Sequence, residues 1–227
     1  MDFLHSLKVV LIDQERYLSI LLGLKNTIII ALAATLLGVL LGTVVALVKY
    51  FSAGKKKLRI FEIICNLYVT IIRGTPVLVQ LLLLSGAIFA SWDNAMMIAI
   101  IGFGLNSGAY VSEIIRAGIS AVDIGQDEAG RSLGLSRVQT MLRIIFPQAI
   151  KNILPALGNE FIVLLKETSI AGYLAVHDLT KAGEVIKSNS YNGTIYFVVA
   201  AIYLVMVVGM TAVLKRLERR LSKSDRG

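Results

Sequence analysis

The chain has 227 residues, of which 56% are hydrophobic and 17% charged; a soluble domain carries about 45–50% and about 25%. Its net charge is +8 and its mean hydropathy is +0.75. A soluble core of this composition would lack the polar residues to cover its own surface, so that class is excluded.

Residues 1–21 form an amphipathic N-terminal segment. Leu4, Leu7, Leu11 and Leu18 recur at near-helical spacing. Such a helix lies at a membrane surface, runs along the bundle, or folds back onto the first span. Asp13 and Glu15 offset Lys8 and Arg16, and no cleavage site follows, so it does not read as a secretory signal.

Four windows carry no charge: 26–48, 74–92, 94–112 and 188–214. A bilayer-crossing helix needs about 20 mostly apolar residues. The chain therefore reads as an all-α membrane protein with five transmembrane helices. They are predicted near 22–48, 60–90, 94–115, 153–173 and 194–214. The fourth is the weakest, because it carries Glu160, Lys166 and Glu167. In the first, Gly38 and Gly42 form a GxxxG pair suited to close helix packing. In the second, Arg73-Gly74-Thr75-Pro76 predicts a bend, since proline removes a backbone donor and clashes with the preceding turn. Cys65 sits there among Ile63, Ile64 and Leu67 and reads as a small buried hydrophobe.

Residues 118–151 form a structured loop. Asp123 and Gln126 have capping-box spacing, as do Ser136 and Gln139. Gly134 between them suits the left-handed end of a first helix. Pro147 marks the end of the second helix or a kink before the fourth span. Helix, glycine turn, helix makes a rigid protrusion that either docks a partner or lies on the lipid surface. Residues 22–214 make the transmembrane domain, and 215–227 a basic tail.

Charge placement orients the chain. Lys49, Lys55, Lys56, Lys57 and Arg59 form one basic group. Arg116, Arg131, Arg137, Arg143 and Lys151 form a second, in and beside the loop. The tail adds Lys215, Arg216, Arg219, Arg220, Lys223 and Arg226. The intervening turns hold Asp93 alone, or balance Asp178 and Glu184 against Lys181 and Lys187. Positive charge marks the cytoplasmic side, so the N-terminus is expected outside and the C-terminus inside. The tail reads as an anchor to anionic membrane lipid, not as a nucleic-acid site.

One cysteine allows no internal disulfide and no cysteine metal cluster. HExxH, P-loop and GxGxxG segments are missing from the sequence. No metal site is expected, and any ATP consumed must be bound by another chain.

Glu128-Ala129-Gly130, three residues, Gly134, nine residues, then Ile144-Ile145-Phe146-Pro147 resembles the EAA signature of permeases from bacterial ATP-binding cassette importers. Gly130 stands where the family has alanine, and Phe146 where it has leucine. The wider set is similar to the polar amino-acid branch. It comprises Arg73-Gly74-Thr75-Pro76, Gly104-Leu105-Asn106-Ser107-Gly108-Ala109-Tyr110, Gly158-Asn159-Glu160-Phe161 and Leu164-Leu165-Lys166-Glu167-Thr168-Ser169.

The resemblance implies the type I importer permease fold in the bacterial inner membrane. It makes residues 127–142 the cytoplasmic coupling helix, with Asp127, Glu128, Ala129, Gly130, Gly134 and Pro147 as ATPase-coupling residues. The implied partners are two ATPase subunits carrying ATP and Mg, a second permease copy or a paralogue, an extracytoplasmic amino-acid-binding protein and an amino-acid substrate.

A charge at mid-bilayer costs at least about 2.5–3.5 kcal/mol, so Arg73 and Glu160 require a reason. Glu160 and Asn159 suit a solute ammonium group, and Arg73 suits a carboxylate. Pairing of Glu160 with Arg73 is the structural alternative. Tyr68, Asn106, Thr168 and Ser169 are further solute-lining candidates, with interhelical hydrogen bonding as their alternative. The function expected is a non-catalytic permease subunit of an importer for polar or cationic amino acids, working by alternating access. An ATP-independent secondary transporter and a membrane assembly protein are the competing readings.

Overall fold

The computed structural model describes residues 3–52 and 54–223. Arg226 and the side chains of Leu4 and Lys223 lie outside the described residues. Among the described residues every regular element is helical.

Helix α1 (Phe3–Leu11) and a 3-10 turn (Asp13–Glu15) lead into α2 (Arg16–Ser52). No proline interrupts α2, and its Leu- and Ala-rich composition favours helix, so it runs for 37 residues. A 3-10 turn (Lys56–Leu58) opens α3 (Arg59–Gly74); α4 (Val77–Leu83) passes into a π turn (Leu84–Ile88). Helix α5 (Ala95–Ser120) starts at Asn94, whose side chain accepts from the Met97 amide at 3.0 Å. Then come α6 (Ile124–Ser132), α7 (Arg137–Thr140), a π turn (Met141–Ile145) and α8 (Phe146–Glu167). A 3-10 turn (Thr168–Leu174), α9 (Leu179–Ser190) and α10 (Ile195–Lys223) complete the order.

The spine of the bundle is the α2–α5 seam. A Cβ on Gly38 would stand 2.7 Å from the Ser107 Cβ, and one on Gly42 would stand 2.6 Å from the Val111 Cβ. Lipid tails are as apolar as leucine, so close packing of small residues replaces the hydrophobic effect as the source of association. The GxxxG pair therefore serves packing inside the chain. The other side of α2 presents Leu32, Leu36, Leu40 and Val44, each exposed.

Three apolar clusters stack along the bundle. Val10, Ile20, Leu179, Ile186, Ile195 and Val199 fill one end. Ile30, Ala34, Leu81, Phe103, Leu164 and Leu165 fill the middle. Ala46, Val111, Ile115, Ala149 and Ile153 fill the other end, beside α6 and α7. Helix α1 is folded against the bundle: Val10 is fully buried, and the Arg16 guanidinium donates to the Val9 carbonyl at 2.8 Å.

The expectation of five transmembrane helices is corrected by the structure. Among the described residues three helical stretches are long and apolar enough to cross a membrane: Asp13–Ser52, Ala95–Ser120 and Ile195–Leu221. A fourth is reached only if Lys56–Gly74 and Val77–Ile88, bent by 108°, count as one. The predicted fourth span falls mainly on α8, which has the length but not the composition. Lys151, Asn152, Asn159, Glu160, Lys166 and Glu167 all lie on it.

Candidate functional site

The helix–turn–helix loop is built by local chemistry. Asp123 caps α6, its carboxylate accepting from the Gly125 amide at 2.7 Å. The reciprocal capping box expected with Gln126 does not form, because Gln126 instead accepts from the Gln148 amide group at 3.2 Å. Gly134 takes φ +83, and two backbone bonds close the end of α6: Gly134 to the Arg131 carbonyl at 3.0 Å, and Leu135 to the Gly130 carbonyl at 3.2 Å. This is the Schellman arrangement, and it needs a left-handed residue at that position. Ser136 then opens α7 with a complete capping box. Its hydroxyl accepts from the Gln139 amide at 3.3 Å, and its own amide donates to the Gln139 side chain at 2.9 Å.

The helix does not stop at Pro147. Helix α7, the π turn and α8 form one continuous helix from Arg137 to Glu167, and Pro147 sits in the first turn of α8. The wider π turn just ahead removes the need for the amide that proline lacks. Asp127 lines a cavity of about 360 Å³ with Tyr50, Ser120, Arg137 and Met141. Glu128, Ala129 and Gly134 are exposed, whereas Gly130 is buried. A Cβ on Gly130 would stand 2.7 Å from the Thr140 Cγ2 and 2.9 Å from the Ile144 Cδ1. The glycine that departs from the usual alanine thus lets α6 lie directly on the helix that follows.

The second polar region surrounds the bend between α3 and α4. Thr75 is extended (φ −122, ψ 146), so the carbonyls at the end of α3 lose their helical partners. Gln80 supplies replacements: the two hydrogens of its amide nitrogen are shared among the Ile72 carbonyl at 2.7 Å, the Thr75 carbonyl at 3.0 Å and the Thr75 hydroxyl at 2.8 Å. The Thr75 hydroxyl donates to the Ile71 carbonyl at 2.9 Å. The Gln80 carbonyl oxygen accepts from the Asn106 side chain at 3.1 Å, tying the bend to the middle of α5. One turn earlier the Tyr68 hydroxyl donates to the Leu105 carbonyl at 2.6 Å. Tyr68 and Asn106 therefore both make the interhelical bonds that were the alternative reading for them.

Arg73 ends α3 with its guanidinium 5.1 Å from the Tyr110 ring centroid. Among the described residues no ion pair joins it to Glu160. Glu160 is half-buried on α8 and faces Ser107 and Glu167. The Ser107 hydroxyl is buried and makes no bond within hydrogen-bonding geometry, so its approach to Glu160 is a proximity only. Asn159 is exposed. Thr168 is fully buried and donates to the Leu165 carbonyl at 2.6 Å. Ser169 lies apart from the bend, lining a cavity of about 440 Å³ with Tyr173, Thr180, Lys181, Glu184 and Tyr196.

Arg73, Tyr68 and Asn106 are thus gathered around one bend, with Glu160 facing Ser107 on the same stretch of α5. Gln80 and Tyr110 belong to this seam and were missed by sequence reasoning. The only signal for Gln80 was one amide inside an otherwise apolar run. Among the described residues no group of His, Cys, Asp and Glu could hold a metal ion.

Residues 34–223 match the family described as binding-protein-dependent transport system inner membrane component. The chain is 37% identical over 210 residues to the putative glutamine transport system permease protein GlnP of Rickettsia prowazekii, covering 91% of this chain and 94% of that one. It is equally 37% identical to the arginine transport system permease protein ArtQ of Bacillus subtilis, with the same coverage. Among solved structures, an amino acid ABC transporter with histidines superposes with a TM-score of 0.86 at 42% identity. That match covers 97% of this chain and 99% of the other.

Proposed function

Because the chain belongs to the family of binding-protein-dependent transport system inner membrane components, as a permease subunit of an ATP-driven amino-acid importer, we propose that it carries polar or cationic amino acids past the α3–α4 bend. ATP hydrolysis belongs to a separate ATPase subunit, and this multi-pass chain is not itself catalytic.

The substrate class is supported by Arg73, Gln80 and Asn106 at the bend and by Glu160 near Ser107, the residue after Asn106 on α5. A zwitterion presents a carboxylate and an ammonium group; Arg73 suits the first and Glu160 the second. Asn159 is a further ammonium partner, and Tyr68 and Thr168 shape the surroundings, whereas Ser169 stands apart in its own cavity. The equal identity to a glutamine and an arginine permease supports polar side chains, neutral or cationic.

The full system then has two ATPase subunits holding ATP and Mg, a second permease copy or paralogue and an extracytoplasmic amino-acid-binding protein. Asp127, Glu128, Ala129, Gly130, Gly134 and Pro147 form and support the surface that seats on the ATPase. The basic ends of α2 and α10 lie at the end of the bundle that holds α6 and α7. We assign that end to the cytoplasm and α1 to the outer side of the bacterial inner membrane. Lys215, Arg216 and Arg219 then sit at anionic lipid headgroups.

Solute binding tighter in one state than in the other supplies the coupling to ATP turnover. The test is ATP turnover and solute uptake in proteoliposomes, with ATPase and binding protein present, across a panel of amino acids. Stimulation by glutamine, arginine, lysine or histidine but not by leucine or valine is expected. Equal stimulation by apolar amino acids would remove the polar-solute assignment.

A further inference from the structure

Two consecutive residues in the last turn of α2 tie it to different parts of the molecule. The Lys49 ammonium lies 2.8 Å from Glu113 Oε1 of α5, and the other Glu113 oxygen takes the Arg116 Nε at 2.8 Å. Next to it, the Tyr50 ring lies under the Arg137 guanidinium, 5.1 Å from ring centroid to Cζ. That distance is within the range of a cation–π contact.

Arg137 is not on a loose strand of loop. It is the first residue of α7, held by the Ser136 capping box and preceded by the closed Gly134 turn. A displacement of α6 and α7 must therefore move the guanidinium with the loop. Tyr50 is half-buried and stands between two cavities, about 360 Å³ on the loop side and about 310 Å³ on the side of Lys49, Glu62 and Arg116. The ring has room to follow its cation in either direction. The loop's other connections are covalent: along α7 into α8, and through the non-helical residues 121–123 into α5, a link about which the loop can pivot.

We infer that Tyr50 and Arg137 form a transmission contact that passes movement of the coupling loop to α2, while Lys49 and Glu113 make α2 and α5 move as one body. The inference rests on the reading of α6 and α7 as the part that meets the ATPase. Tyr50 and Arg137 touch no solute; they are positioning residues. Without their contact the loop still drives α8 but pivots about residues 121–123, so that α2 and α5 lag, and ATP is hydrolysed without completed import.

The experiment compares the assembled transporter in proteoliposomes with Tyr50→Phe, Tyr50→Leu, Arg137→Gln and the Tyr50→Leu/Arg137→Gln pair. The readout is ATP hydrolysed per amino acid imported. Tyr50→Phe keeps the ring face and should keep the parent ratio. Tyr50→Leu and Arg137→Gln should each raise it about fivefold. The double variant should be no worse than either single one, because residues of one contact are not additive.

A parent-like ratio in Arg137→Gln, or a multiplicative loss in the double variant, would overturn the inference. Arg137 is exposed, so its variant carries the test if Tyr50→Leu fails to assemble. If the parent itself shows no ATP-driven uptake, the importer reading fails. If the parent is coupled and all variants match it, only the transmission contact fails.

Discussion

At the scale of single residues, the glycines of the loop divide by cause. Gly134 was legible in the sequence because a left-handed helix end favours glycine for a local, steric reason, and its φ of +83 is that conformation. Gly130 was not. In sequence it reads as a loosened helix; in the structure it is the point where α6 rests on Thr140 and Ile144. Gly130→Ala gains up to about 1 kcal/mol of helix propensity but crowds a buried β-branched neighbour, a cost of about 1–3 kcal/mol. Faster hydrogen exchange across residues 124–145 is the expected result. Slowed exchange would mean that propensity outweighs packing there. For Glu160, Glu160→Gln keeps the shape and removes the charge. Solute uptake should fall at least tenfold while assembly with the ATPase is retained; unchanged uptake would reject direct recognition of the ammonium group.

At the scale of elements, the bend between α3 and α4 was foreseen from Gly74 and Pro76, but what holds it was not. Proline's effect is local and therefore legible. The Gln80 side chain acts through partners on three different segments, and no spacing rule reports such a set. Gln80→Leu removes two N–H donors shared among three acceptors and leaves Asn106 without its acceptor. At about 0.5–1.5 kcal/mol each, the loss should reach about 2–4 kcal/mol and appear as a lower midpoint of unfolding in lipid discs. A midpoint equal to the parent's would show that water or backbone rearrangement replaces the amide.

The cap of α9 offers a pH-dependent case outside the membrane-length helices. Burial pushes the Asp178 carboxyl up, and the Thr180 and Lys181 amides pull it part of the way down. A raised value in the folded chain means its stabilising share is present below the ordinary aspartate value and lost as pH rises through the folded one. Asp178→Asn removes the buried charge but keeps only one of the two accepting oxygens. Its stability relative to the parent's should be higher at pH 7 than in acid; a difference that does not change with pH would deny the buried charge its cost. Asp178→Ala should cost about 1 kcal/mol at pH 7 and more in acid.

At the scale of the whole molecule, membrane character was legible from charge-free windows, because exclusion of charge from hydrocarbon is a composition rule. The division into crossings was less so. A count of apolar windows treats 60–90 as one segment, whereas the chain turns by 108° within it. The predicted fourth span, 153–173, falls outside every charge-free window and mainly on α8, whose polar residues argue against a crossing. The seam between α2 and α5 was half legible: GxxxG announces close approach but not the partner, which is the chain's own α5. Gly42→Ala should lower the folded yield and unfolding midpoint through contact with Val111, whereas Gly209→Ala, where nothing lies within 4 Å, should not. Equal effects of the two would deny the seam its structural role.

The unbroken helix from Arg137 to Glu167 has a mechanical consequence. At about 1.5 Å per residue, about 35 Å separates Arg137 from Glu160 along one rod. Tilting that rod by about 5° at its loop end sweeps the far point through about 3 Å, the length of one hydrogen bond. A small push at the loop end is thus geared up into a change of partner for the half-buried Glu160 carboxylate. The π turn at Met141–Ile145 and Pro155, which interrupts the hydrogen-bond ladder of α8, are the compliant joints in this lever, and their stiffness sets how much of the stroke arrives.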